Sequence, residues 1–115
     1  GLGRAIYEYQ KLGYRICLPL NDNQTYDLVI EKDGLFFSVQ CKTTRYKPKG
    51  VYLVQLKTVR PNKTQNIITP LSKCDFIFVL CDNEDCYSIP FDALTSKLEI
   101  RLHMYEKYKL GYLRG

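Results

Sequence analysis

The sequence has 115 residues, enough for one hydrophobic core and too few for two, so a single domain over residues 1–115 is expected. With 45% hydrophobic and 25% charged residues it lies in the soluble globular range; no apolar run nears the ~18–20 residues of a membrane span, and no basic-then-apolar leader opens it, so it reads as intracellular with no membrane contact. The net charge of +5 is uneven: eight basic residues and no acidic one fall between Gly34 and Cys74, which excludes an acidic binding surface there.

In chain order, Leu2, Ala5, Ile6, Tyr9 and Leu12 recur at helical spacing as one apolar stripe, with Arg4, Tyr7 and Lys11 facing away and Gly13 as the C′ residue. Glu8, the helix's only carboxylate, flanks the stripe. Residues 14–18 form a short strand ended by Pro19, and Asn21-Asp22-Asn23 makes a turn in which Asp22 is an ordinary turn residue. Residues 26–32 and 35–43, rich in β-branched and aromatic side chains, flank Asp33-Gly34, a strong signal for a two-residue hairpin. If Lys32 lies opposite Leu35, Asp27 falls opposite Gln40. Side chains alternate along a strand, so Asp27, Gln40 and Lys42 share one face, Leu28 and Ile30 take the other, and the Cys41 side chain points to the core.

Residues 45–50, Arg-Tyr-Lys-Pro-Lys-Gly, are a basic loop. Residues 51–56 are a fourth strand, placed inside the sheet because both of its faces carry apolar side chains. Residues 58–66 have no periodicity and read as a loop rich in groups that contact phosphates and base edges. The basic set is Lys42, Arg45, Lys47, Lys49, Lys57, Arg60, Lys63 and Lys73, interleaved with Tyr46, Tyr52, Asn62, Gln65 and Asn66. A one-sign segment of this kind points to a polyanion, against the plainer reading of a solvated face. Arg45, Lys47, Lys49, Lys57, Arg60, Asn62, Lys63 and Gln65 are the candidate DNA-binding residues.

Residues 76–80 are a continuous apolar run, a core strand; 82–85 are an acidic turn, and 86–89 complete a second hairpin. Pro90 and Phe91 lead into a short helix with Asp92 as N-cap. Leu98, Ile100 and Leu102 alternate with polar residues as an edge strand whose His103 is solvated rather than catalytic. The tail carries Lys107, Lys109 and Arg114 among tyrosines, facing either DNA or a partner subunit. The five cysteines are odd in number and lack a Cys-x-x-Cys pair, so reduced, mostly buried thiols are expected, and no zinc pattern is present. The expected core includes Leu28, Ile30, Val39, Val54, Phe76, Phe78 and Val79, in an α/β fold with a central mixed sheet of about five strands flanked by helices.

Asp27 followed by Gln40-Cys41-Lys42 on the next strand resembles the motif of the PD-(D/E)XK nucleases, with Gln40 where most members have a carboxylate. The surrounding text, GYRICLPLNDNQTYDLVIEKDGLFFSVQCKTT, is similar to the cyanobacterial group I intron homing endonuclease branch, which includes a Gln-x-Lys form, and more loosely to archaeal Holliday junction resolvases. The resemblance implies a restriction-endonuclease-like fold and a metal-dependent, site-specific DNA endonuclease that makes double-strand breaks in intron homing. A junction resolvase is the alternative within the class; a non-cleaving DNA-binding module on the same scaffold, and an RNA binder stacking bases on Tyr46 or Tyr52, are the alternatives outside it. It further implies Mg2+ held by Asp27, the Gln40 amide oxygen and the Cys41 backbone carbonyl, with Lys42 stabilising the attacking hydroxide or the phosphoryl oxygens. Many members carry a helix Glu at the metal; Leu2 stands near that position here, leaving Glu8, or an acid upstream of Gly1, to fill the need. Double-stranded DNA is the implied partner, bound by a homodimer or homotetramer.

Overall fold

The computed structural model describes residues 1–21 and 25–111. Asp22 and Asn23 of the expected turn, and Arg114 of the tail, lie outside the described residues. The helix α1 (Leu2–Lys11) is followed by β1 (Arg15–Cys17), β2 (Leu28–Lys32), β3 (Leu35–Thr44), β4 (Leu53–Gln55), β5 (Thr58–Pro61), β6 (Asn66–Thr69), β7 (Phe76–Cys81), β8 (Cys86–Pro90), β9 (Glu99–Arg101) and β10 (Lys109–Leu110). Six of the strands form a mixed sheet in the order β1-β2-β3-β7-β8-β10. About five were expected; the last of the six, β10, pairs with β8 and is too short, at two residues, to leave a periodic signal.

The Asp33-Gly34 turn forms as expected, with φ +53 and +82, and it sets Lys32 opposite Leu35 and Leu28 opposite Val39. Both central residues of such a turn need positive φ, which Asp tolerates and Gly adopts freely. Every neighbouring pair in the large sheet is antiparallel except β3 and β7. Parallel neighbours require a long crossover. Residues 45–75 are that crossover, so all of the basic set but Lys42, which stands on β3, is carried across one face of the sheet.

On the opposite face lies α1, which buries Ala5 and Tyr9 against Leu28, Ile30, Val39, Phe78 and Cys86. The buried Tyr9 hydroxyl is paired with Ser88 Oγ at 2.6 Å, and burial pushes its pKa above the ordinary value. The helix ends where Gly13 takes φ +93, as its C′ role requires. The expected apolar stripe is narrower than its periodicity, since Leu2 and Leu12 at the helix ends are exposed.

The crossover face is covered differently from the expectation. β4 is not inside the large sheet; it pairs with β9 as a separate ribbon. Val54, Leu56, Ile100 and Leu102 from this ribbon and its flanks pack on Ile77, Val79 and Ile89. This stacking buries the Tyr52, Val54 and Leu56 face, while Leu53 is buried and Gln55 exposed on the other, a pattern the sequence expresses equally well as a central strand. The expected edge strand is therefore shorter, Glu99–Arg101, and Leu98 is exposed. The helix expected after Pro90 is a single 3-10 turn, Phe91–Ala93, with Asp92 inside it and no side-chain cap, so α1 is the sole α-helix among the described residues. Of the expected core residues all are fully buried except Phe76, which is partly so.

Residues 58–66 are not a loop. β5 and β6 make a further hairpin, Thr58 opposite Thr69 and Pro61 opposite Asn66, and every residue of both strands is exposed. With no face buried, no alternation marks it in the sequence. No described helix is long and apolar enough to cross a membrane.

Candidate active site

The β2–β3 ladder stops one rung short of the expected Asp27–Gln40 pair. Instead the Asp27 N–H donates to the Val39 carbonyl at 2.8 Å, so Asp27 and Leu28 both stand against Val39, as at a bulge. The displacement turns the Asp27 carboxylate back onto β3. Its Oδ2 accepts the Cys41 backbone N–H at 2.7 Å and the Gln40 Nε2 at 3.1 Å. A carboxylate accepts only, so the Gln40 amide must present its NH2 to Asp27 and turn Oε1 away. Within a strand a residue's N–H and C=O point to the same neighbour, so the Cys41 carbonyl points with its N–H past the end of β2. Asp27 Oδ1, Gln40 Oε1 and the Cys41 carbonyl are then three hard oxygen donors at one strand end, a set that suits a small divalent cation.

Gln40 and Lys42 project on the crossover face, level with Ile77 and Val79 of β7. They line a cavity of about 190 Å³ that lies between the sheet and the root of the β5–β6 hairpin. Lys42 has no ion-pair partner among the described residues, so the plain alternative of an Asp27–Lys42 cross-strand ion pair is not what the structure contains. The Cys41 side chain lies on the α1 face, as expected, and burial with the neighbouring Asp27 charge pushes its thiol up to about 12. Its side chain is thereby a neutral wall, and only its backbone serves the site.

Glu8 is not brought to this constellation. It is buried at 3% exposure on the α1 side, held by Arg4 Nε at 3.0 Å and Lys11 Nζ at 3.5 Å. Arg4 also reaches Glu84 at 2.7 Å, fastening the helix to the β7–β8 turn. Two cations on one carboxylate explain both its burial and its absence from the site. The first turn of α1, by contrast, approaches β3, since a Cβ on Gly1 would lie 3.1 Å from Thr43 Cγ2.

The candidate DNA-binding residues divide by place. Asn62, Lys63 and Gln65 form the tip of the β5–β6 hairpin and Arg60 lies on β5, all exposed. Arg45, Lys47 and Lys49 belong to the exposed loop after β3; Lys57, half-buried, stands at the hairpin's base. None of these cations is in an ion pair among the described residues. Tyr52 is buried, with its hydroxyl donated to Asp82 and the Lys47 ammonium over its ring at 4.6 Å, so it offers no stacking platform; Tyr46 remains exposed. His103 is exposed, the five cysteines are free, and no group of metal-ligating His, Cys, Asp and Glu side chains occurs among the described residues. A larger depression, about 440 Å³, lies at the carboxyl ends of β3 and β7 and has a mixed charge, with Asp82, Glu84 and Arg45 all in its lining.

No curated protein matches the sequence. Among solved structures, that of a bacterial homing endonuclease, I-Ssp6803I, is similar with a TM-score of 0.77 and 28% identity, over 87% of this chain and 71% of that one. The profile described as PD-(D/E)XK endonuclease matches residues 3–110, which include the whole sheet, Asp27 and the Gln40-Cys41-Lys42 run. The chain therefore belongs to the PD-(D/E)XK endonuclease family and is a nuclease by that membership.

Proposed function

We propose that the protein is a magnesium-dependent, site-specific DNA endonuclease of the homing type, making double-strand breaks as a homodimer or a pair of homodimers. The observation that carries the reading is the meeting of Asp27 with Gln40 and the Cys41 backbone beside a Lys42 that has no counter-ion among the described residues, under a basic crossover. Magnesium, when bound, would neutralise charge on the phosphate and acidify a water. Asp27 Oδ1, the Gln40 amide oxygen and the Cys41 carbonyl would hold the cation, and the Cys41 N–H and Gln40 amide fix the Asp27 carboxylate through Oδ2 so that Oδ1 is left to offer. The Lys42 ammonium stabilises the charge that develops on the phosphoryl oxygens. Gln40 lowers the site's negative charge by one relative to a carboxylate, which weakens cation binding and makes the other oxygens count for more.

Recognition belongs to the basic crossover. A two-stranded β-ribbon fits the major groove, and the β5–β6 hairpin presents Arg60, Asn62, Lys63 and Gln65 on such a ribbon. The loop cations Arg45, Lys47 and Lys49, with Lys57, supply phosphate contacts. One site per chain calls for two chains to cut a duplex, and a two-fold axis matches the symmetry of DNA.

The test is cleavage of a plasmid library with magnesium present or chelated, beside Asp27→Ala and Lys42→Ala proteins shown to fold. Cutting at one site, lost without magnesium and in both variants, is expected. Binding without cutting in every reaction would favour the non-cleaving DNA-binding module, and preference for four-way junctions over linear duplex would favour a resolvase.

A further inference from the structure

The cavity beside Lys42 has a wall of hydroxyls. Thr25, Thr58, Thr69 and Ser72 line it around Gln40 and Lys42, above the buried Leu56. Thr58 and Thr69 face each other as the first rung of the β5–β6 hairpin. None of the four hydroxyls is hydrogen-bonded to another described residue, and no carboxylate lines the cavity. The lysines next in sequence on its two sides, Lys57 and Lys73, add positive potential.

Uncommitted hydroxyl donors around one ammonium, with no anion among them, suit a tetrahedral oxyanion better than a base edge or an apolar group. O–H donors to a charged oxygen make short bonds, roughly twice as strong as neutral ones. At about 190 Å³ the space equals about six waters of liquid, room for a phosphodiester group and too little for a base pair.

We infer that the hydroxyl wall of this cavity seats the DNA backbone phosphate next to the scissile one, which itself stays at the Lys42 side, with Thr58 and Thr69 as the positioning residues and Thr25 and Ser72 completing the donor set. The inference rests on the nuclease reading above. Because the two threonines are also the root of the hairpin, a phosphate held there ties the ribbon that reads sequence to the Lys42 that acts on the backbone, and so sets how far from the read bases the cut falls.

The test uses Thr58→Val/Thr69→Val, which keeps shape and strand preference at exposed positions, and Thr58→Ser/Thr69→Ser, which keeps the hydroxyls. The substrate is the duplex cut by the wild-type protein, made with single methylphosphonates at each phosphate near the cut. The valine pair should lower kcat/KM by about tenfold while the serine pair stays near wild type. One methylphosphonate position should cost the wild type a similar factor and cost the valine pair little more. If the valine pair cuts like wild type, or its loss multiplies with every methylphosphonate, the phosphate seat is overturned while the nuclease reading stands. If the wild type cuts no DNA, the nuclease reading falls, and binding of random-sequence duplex in EDTA decides the seat: weaker binding by the valine pair than by wild type supports it, and equal binding overturns it.

Discussion

Two of the molecule's hairpins, β2–β3 and β5–β6, are held by opposite means. β2–β3 buries Leu28, Ile30 and Val39 completely under α1, whereas all eight residues of β5 and β6 are exposed, including Val59, Ile67 and Ile68. Burial of one face specifies register, because a one-residue slip would turn the core side chains to water. A hairpin without a buried face is marginal by itself and belongs to the low-stability end of a structure. Chemistry needs fixed positions and recognition of a long polyanion needs adaptable ones, so the difference matches the proposed division of labour. The two meet at one cavity, where Gln40 and Lys42 come from β3 and Thr58 and Thr69 from β5–β6.

The comparison breaks most visibly at Asp27. Asp27→Ala should lower cleavage by at least about 10³-fold, or ~4 kcal/mol of transition-state stabilisation, with near-native circular dichroism. In the core, Leu28→Ala should cost about 2–5 kcal/mol in urea unfolding, while Ile68→Ala in the exposed hairpin should stay within about 0.5 kcal/mol. Equal costs would mean that β5–β6 is covered by something in solution. Glu8→Gln should lower stability by about 1–2 kcal/mol, discounted for the partly exposed Arg4 and Lys11, and leave the cleavage rate of the folded protein unchanged. A fall in rate at constant stability would return Glu8 to the metal site. Gly34→Ala should cost about 1–2 kcal/mol through φ +82 alone, as nothing lies within 4 Å of a new Cβ. The smallest effect is electrostatic: Lys63→Ala should weaken DNA binding across sequences and flatten log K against log salt by about 1.

Alkaline pH separates the two regions again. Burial pushes the thiols of Cys41 and Cys81 up to about 12 and those of Cys74 and Cys86 up to about 11, from an ordinary value of 9.0. All four lie in the two core clusters and none in β5–β6. Above pH 9 the unfolded chain releases protons that the folded protein keeps, so stability should fall as pH rises from about 9 towards 11–12 and be unaffected by these groups below 9. Urea midpoints on either side of the ordinary thiol value check this, and Cys74→Ala should flatten the decline. A midpoint independent of alkaline pH would mean that the thiols are open to water.

The features legible in the amino-acid sequence are local or periodic. Asp33-Gly34 demands positive φ, and the alternation of Leu28, Ile30 and Val39 demands one buried face. Those two demands alone bring Asp27 near Gln40 and Lys42, because a turn and an alternation are properties of neighbours in the chain. The apolar run of β7 likewise announces a core strand. Non-local features were settled by the packing of the whole chain. The pairing of β4 with β9 rather than with the large sheet depends on residues about forty-five positions apart, and an apolar strand looks the same in either setting. The exposed β5–β6 hairpin left no burial pattern to read, and its placement over Lys42 follows from the parallel β3–β7 pair, which forces the crossover across that face. Glu8 was a candidate ligand as the helix's only carboxylate. Its fate was set by Arg4 and Lys11, whose charges claim it on the far side of the sheet, because electrostatic partners are chosen by distance in space and not by residue type alone.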